Sequence, residues 1–279
     1  NDIPAEALAK LDTGKAPRSS YLSSDASKIQ VFALFGLDGV DSSDSVMLVA
    51  LDRVHQKIKL ISLARDSYVF IPEFASFSKL AYSYTWGGAA MAVKNLNYNY
   101  YLNVSDYIAV DFDQLAEIID RIGGVTVNID EDEARYLSGY PNVHVGDCLL
   151  DGETAVSYAR IRKSSATDSD RKRTGRQREV ILSILNTLQT MPLSQYPGFV
   201  RDCLGMCATS FEAETLLTMA AETLGQNYTV EQYFFPEGQV DWWAGLIKEY
   251  FYYVYDLRRA SDRIYRIIYE ELYISGYDD

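Results

Sequence analysis

The sequence has little of what builds the commonest metal and nucleophile sites. In 279 residues there are three cysteines, Cys148, Cys203 and Cys207, and two histidines, His55 and His144. An odd cysteine count without C-x-x-C spacing, beside so little histidine, argues against a zinc site. Cys203 and Cys207 stand four apart, so they share a helix face as core residues or, in an exported protein, leave one disulfide and a spare thiol. No run of 18 or more apolar residues occurs, and no Lys/Arg-led stretch with an apolar h-region opens the chain. The chain starts at Asn1 rather than Met, and any membrane association is expected through a segment absent from it. Positive charge is also scarce: 26 Lys and Arg face 39 Asp and Glu, for a net charge of −13. A pI near 4.6 argues against a nucleic-acid surface and fits a compact anionic ligand held in a pocket.

What is present is ordinary for a folded chain, at 48% hydrophobic and 23% charged residues. The length suits one large domain or two small ones. The exception to the acidic character is Arg160 to Arg178, RIRKSSATDSDRKRTGRQR, with eight of the Lys and Arg residues and two of the acids. A helical pattern begins at Arg173, with Val180, Ile181, Ile184 and Leu188 on one buried face. Arg173, Arg176 and Gln177 fall on that face one or two turns earlier, whereas Lys172 and Arg178 lie off it and are expected in solvent. Inward guanidinium groups need an anion to offset desolvation, and a helix N-terminus favours one too. Phosphate matches the guanidinium fork. Neutralisation by Asp168, Asp170 and other carboxylates in a structural network is the alternative.

Residues 1–27 lack periodicity and read as a linker or loosely attached arm. Three strand-like runs follow, Ile29 to Phe35, Val46 to Leu51 and Ile58 to Leu63, with connections short enough for neighbouring strands. Between the first two, GLDGVDSSDS places Asp38, Asp41 and Asp44 in one expected loop. Such a loop takes a hard cation such as magnesium, which commonly keeps phosphate as a further ligand, or is a polar turn. The third strand runs into Ala64-Arg65-Asp66, at a strand end where open α/β sheets carry functional groups. Ala89 to Leu96 has a helical pattern. Tyr107 to Phe112 reads as a strand, capped by Asp111 or Asp113 into a helix whose stripe is Leu115, Ile118, Ile119 and Ile122. After Gly123-Gly124 comes a strand over Val125 to Ile129. Alternating strands and helices predict an α/β sheet covered on both faces. Farther on, Phe199, Cys203, Leu204 and Cys207 suggest one helix and Leu216, Leu217, Ala220 and Leu224 another. The last forty residues, with Trp242, Trp243, Tyr250, Phe251, Tyr253 and Tyr265, are expected to be helical, their aromatics a core or an acyl-chain or sugar platform.

FGLDGVDSSDSVMLVALD, IKLISLARDSYVFIP, KLAYSYTWGG, YIAVDFDQLAEIIDRIGGVTVNI, LDGETAVSYARIRK and DSDRKRTGRQREVI occur in this order between Lys28 and Thr190. Together they resemble the catalytic domain of the LytR-CpsA-Psr family, which attaches glycopolymers to the bacterial cell wall. The resemblance implies a three-layer α-β-α sandwich with a central mixed sheet and an internal apolar tunnel over 28–279, residues 191–279 being a helical completion. It also implies that Asp38 and Asp44 hold a magnesium ion. Arg65 and Asp66 match the charged pair of I-P-R-D, Arg160 and Arg162 the pair in Y-A-R-x-R, and Arg173, Arg176 and Gln177 the segment R-x-x-R-Q. With Lys79, these cationic and amide groups would surround the pyrophosphate of a polyprenyl-linked glycan. Three positions depart from the family pattern. Ser42 stands where arginine is usual in R-S-D-T, Ala64 replaces the proline of I-P-R-D, and Arg171 and Lys172 replace an aromatic and a glycine.

The implied activity is a magnesium-dependent phosphotransferase at the extracellular face of the cytoplasmic membrane. It would move a glycopolymer with its phosphate from polyprenyl pyrophosphate to peptidoglycan, with pyrophosphatase activity on the side. Arg65 and Asp66 would be the catalytic pair, Asp66 either a general base or a structural partner of Arg65. A non-catalytic polyprenyl-phosphate-binding regulator or scaffold is the alternative, and Ser42 favours it. Nucleic-acid binding through residues 160–178 is disfavoured by the acidic remainder.

Overall fold

The computed structural model describes residues 4–8, 24–39, 43–162, 166–224, 226, 228–236 and 240–269. In chain order the elements are α1 (Ala5–Leu8), β1 (Ile29–Leu37), β2 (Ser43–Asp52), β3 (Lys57–Leu63), β4 (Tyr68–Ile71), β5 (Ser76–Lys79) and α2 (Tyr82–Tyr100). Next come β6 (Asp106–Asp111), α3 (Phe112–Arg121), β7 (Val125–Ile129), α4 (Glu131–Tyr136), β8 (Gly146–Leu150), α5 (Gly152–Arg160) and α6 (Ala166–Thr190). The chain continues through α7 (Tyr196–Met206), β9 (Ala208–Thr209), α8 (Ala213–Leu224), β10 (Thr229–Phe235), β11 (Trp242–Ile247), β12 (Tyr250–Tyr255) and α9 (Leu257–Tyr269). The central sheet is six-stranded in the order β10-β3-β2-β1-β6-β9. It is mixed, since β10 runs parallel to β3 while β2 runs antiparallel to it. The chain divides into two compact units, residues 1–35, 40–107 and 229–279 in the first, and 36–39 and 108–228 in the second.

In the first unit, every residue of β2 from Val46 to Leu51 is buried. A strand buried at consecutive positions is covered on both faces, which is why it reads as an unbroken apolar run rather than an alternation. The charge buried in the sheet is contained locally. Lys59, fully buried on β3, gives its Nζ to Asp52 Oδ2 at 3.0 Å and to the Ile268 carbonyl at 3.0 Å, tying strand to α9. The expected aromatic C-terminal helix is instead a β-hairpin, β11 pairing antiparallel with β12, followed by α9. Trp, Tyr and Phe pack well on a pleated surface, and cross-strand pairing decides between strand and helix where local pattern does not. Within the expected arm, Ala7 is fully buried in a cluster with Tyr68, Ile247, Tyr252 and Val254. α2 carries the Gly87-Gly88 signal as a kink, with Gly88 at φ 62°.

In the second unit, Asp111 opens α3 with a capping box, its side chain accepting from Gln114 N, and Asp130 opens α4 the same way with Glu133. The core gathers Ile119, Val125, Val127 and Ile129 with Leu150, Tyr158, Ile161 and Val180. β7 spans the residues the sequence predicts, and it pairs antiparallel with β8. α7 and α8 cover the two expected apolar stripes except Cys207, which follows α7 in extended backbone.

Candidate active site

In the first unit the charged groups stand on the turn that follows β3. Its backbone is tied on several sides: Ala64 N donates to Phe235 O at 2.8 Å, Ala81 N to Arg65 O at 3.0 Å, and Tyr253 N to Asp66 O at 3.0 Å. Ser67, fully buried, donates its Oγ–H to Ala64 O at 2.7 Å and meets Tyr255 OH at 2.8 Å, which meets Tyr100 OH at 2.6 Å. Both phenols are held above their ordinary range by burial first, Tyr255 up to about 12. On this frame Arg65 Nη1 donates to Asp44 Oδ1, Arg65 Nε lies 3.6 Å from Asp66 Oδ2, and Asp66 Oδ1 takes Lys79 Nζ at 2.6 Å. Asp44, Arg65, Asp66 and Lys79 thus form one alternating chain of two acids and two bases, each side chain between 9% and 22% exposed. Four sequence-predicted residues come together here. One expectation changes: Asp44 lies on β2 rather than in the loop, and its carboxylate is already shared with an arginine.

The other candidates lie in the second unit. Asp38 is half-buried just past β1, and the intervening Asp41 and Ser42 are outside the described residues. Arg160, the last residue of α5, holds its guanidinium 4.6 Å from the Phe112 ring centroid, and both it and Arg162 are exposed. Between them Ile161 is fully buried. Arg173, Arg176 and Gln177 are 3%, 4% and 8% exposed, so the inward phase inferred from the sequence is observed. Arg173 Nη2 donates to Asp170 Oδ1, while Arg176 gives Nη1 to Glu133 Oε1 at 3.1 Å and Nη2 to the Ile161 carbonyl at 2.6 Å. Gln177 Oε1 is buried with no hydrogen-bond partner. Carboxylates therefore neutralise part of the cluster, Asp170 as anticipated and Glu133 unanticipated; the side chain of Asp168 is outside the described residues. Glu133 was legible in the sequence only as the last member of a D-x-x-E cap.

Two expectations for this segment are corrected. α6 begins at Ala166, so Arg173 is two turns inside the helix and the helix N-terminus does not assist it. Arg178, expected in solvent, is 9% exposed; Thr174, four residues before it, is 4% exposed, because α6 is covered on this second face too. Lys172 is exposed as expected. The thiols are free, and burial first pushes Cys203 up to about 12 and Cys207 to about 11, which favours the thiol over the thiolate. Among the described residues no three His, Cys, Asp or Glu side chains gather as a metal cage, and no helix is long and apolar enough to cross a membrane.

The LytR_cpsA_psr family model matches residues 6–265, and the chain belongs to that family. Among its relatives is the polyisoprenyl-teichoic acid–peptidoglycan teichoic acid transferase TagU of Oceanobacillus iheyensis, 28% identical over 78% of this chain and 69% of that protein. TagT of Bacillus subtilis, of the same transferase name, is 29% identical over 56% of this chain and 48% of its own length. The regulatory protein MsrR of Staphylococcus aureus is 29% identical over 58% of this chain and 50% of its own. The chain thus spans about half the length of the last two. The solved structure of TagT bound to LIIa-WTA superposes with a TM-score of 0.73 at 20% identity, covering 93% of this chain and 98% of that one. At that identity the superposition establishes the shared fold.

Proposed function

We propose that this chain is a phosphotransferase of cell-wall assembly, moving a glycopolymer with its proximal phosphate from polyprenyl pyrophosphate to a peptidoglycan hydroxyl at the outer face of the cytoplasmic membrane. The observation that carries the reading is the arginine cluster of α5 and α6, where Arg160 and Arg162 reach solvent and Arg176, on the same buried face as Arg173 and Gln177, bonds the Ile161 carbonyl between them. Family membership and the transferase names of TagU and TagT support the same substrate class. In the reaction, an acceptor hydroxyl bonds to the phosphorus that bears the glycan, the bond to the bridging oxygen breaks, and polyprenyl phosphate leaves. The charge on the phosphate oxygens has to be neutralised throughout, which is what guanidinium groups supply. Arg160, Arg162 and Arg173 would hold the pyrophosphate with Gln177; Arg65 and Lys79 are further candidates for phosphate binding. Asp66, between Arg65 and Lys79, would accept the hydroxyl proton. The prenyl chain would occupy an apolar tunnel of the domain.

The carboxylates of Asp38 and Asp44 are hard oxygen donors of the kind magnesium selects. A magnesium ion there would supply further charge neutralisation to the pyrophosphate. A polyprenyl-phosphate-binding regulator is the second reading, favoured by Ser42 and by the kinship to MsrR. The test is release of polyprenyl phosphate from a short-chain polyprenyl-pyrophosphate disaccharide, with and without peptidoglycan fragments. Acceptor-dependent release that Arg162→Ala abolishes supports the transferase; release with water alone is the pyrophosphatase side reaction. Tight binding with no release in either arm refutes catalysis and leaves the regulator.

A further inference from the structure

We infer that Arg176 is a positioning residue, which with Glu133 holds the segment carrying Arg160 and Arg162 in place and does not itself bind phosphate. This rests on the phosphate-binding reading of Arg160 and Arg162. After α5 ends, Ile161 turns extended, with φ −53° and ψ 127°. Extended backbone sends neighbouring side chains to opposite sides, and here Ile161 enters the core while Arg160 and Arg162 stay outside. The register of this one residue therefore decides where both cations stand. What secures it is the 2.6 Å bond from Arg176 Nη2 to the Ile161 carbonyl.

The other arm of the fork, Nη1, is 3.1 Å from Glu133 Oε1. Glu133 is in turn fixed, because its second oxygen accepts the Asp130 N–H at 3.0 Å as part of the cap that opens α4. Both terminal nitrogens of Arg176 are thus bonded to protein oxygens, its Nε is buried, and the residue is 4% exposed. A phosphate reaching it would have to displace a carboxylate or a carbonyl. Arginine suits this post because its rigid fork spans two acceptors at once, which a lysine ammonium on a flexible stem does not. Glu133 also offsets the Arg176 charge locally.

The test uses the full chain and inorganic pyrophosphate, measured by calorimetry, with thermal unfolding run alongside to select folded variants. Glu133→Gln discriminates by sign. Gln presents one acceptor oxygen where Glu133 uses two, so the grip on Arg176 or the α4 cap is lost. If Arg176 were a phosphate ligand, removing a nearby negative charge would tighten anion binding; positioning requires that it weaken. Arg176→Lys, which keeps the charge and loses the fork, is expected to weaken binding about tenfold, the loss of one charge-assisted contact's worth of placement. That loss should vanish in an Arg160→Ala/Arg162→Ala background, since Arg176 acts only through those residues. Tighter binding by Glu133→Gln, or an undiminished Arg176→Lys loss in that background, overturns the inference. Amide exchange of a peptide covering residues 157–162 needs no ligand and should quicken in Arg176→Lys; unchanged protection also overturns it. Wild-type protein that ignores pyrophosphate refutes the phosphate reading instead, and the exchange rates then decide the grip by themselves.

Discussion

Replacing Ser67 by alanine should damage the Arg65-Asp66 turn more than removing either end of the hydroxyl chain behind it would suggest. The direction of the hydrogens follows from the acceptor at the end. Ser67 Oγ donates to Ala64 O, so its own lone pair accepts from Tyr255 OH, which accepts from Tyr100 OH. All three residues are at most 1% exposed, so no water replaces a lost partner. Tyr100→Phe then removes the outermost donor and leaves only an acceptor lone pair unmet, at a cost of about 1 kcal/mol. Ser67→Ala strands the Tyr255 O–H without an acceptor and takes one bond from Ala64 O, which costs about 2 to 3 kcal/mol. Urea denaturation followed by circular dichroism measures both. Since the turn carries Arg65 and Asp66, Ser67→Ala should also lower turnover about tenfold with little change in KM, because misplaced groups fail mainly in the transition state. Equal destabilisation by Tyr100→Phe and Ser67→Ala would refute the proton order, and full turnover in Ser67→Ala would refute the turn's role.

Burial pushes the Asp52 carboxyl up, but bonds from the His55 side chain and backbone and from Lys59 overcome this and hold it below its ordinary value of 3.8. A depressed folded pKa contributes stability that is present above that ordinary value and is lost as pH falls through the folded one. Lys59→Met should therefore cost about 3 kcal/mol at pH 7 and progressively less below about pH 4, and urea titrations giving a pH-independent cost would refute the pairing. Gly152→Ala should destabilise the second unit by at least about 3 kcal/mol in thermal or urea unfolding, because a Cβ there would lie 2.1 Å from the Ala116 carbonyl oxygen of α3, a backbone atom that cannot swing aside. Asp38→Ala and chelation should each abolish turnover, and calorimetry should find magnesium binding tightened by pyrophosphate. Metal-independent turnover would remove the ion from the mechanism.

The family likeness, the three neighbouring strands, a cap at Asp111 or Asp113 and the inward phase of Arg173, Arg176 and Gln177 were legible in the sequence, because each depends on residue identity at short spacing. Local periodicity carries such information directly: a strand alternates every two residues, a helix turns every 3.6, and a cap needs its acceptor at one position. It does not say which partner a buried charge meets. Glu133 lies 43 positions from Arg176, and the Tyr255 hydroxyl 188 positions from Ser67. The same limit hid the β11–β12 hairpin, whose aromatic run suits strand or helix until a second strand pairs with it, and the cover over Arg178. The arginine cluster of this acidic chain was legible in the sequence; which of its members are buried and which carboxylates and carbonyls meet them was decided by contacts that only folding brings within bonding distance.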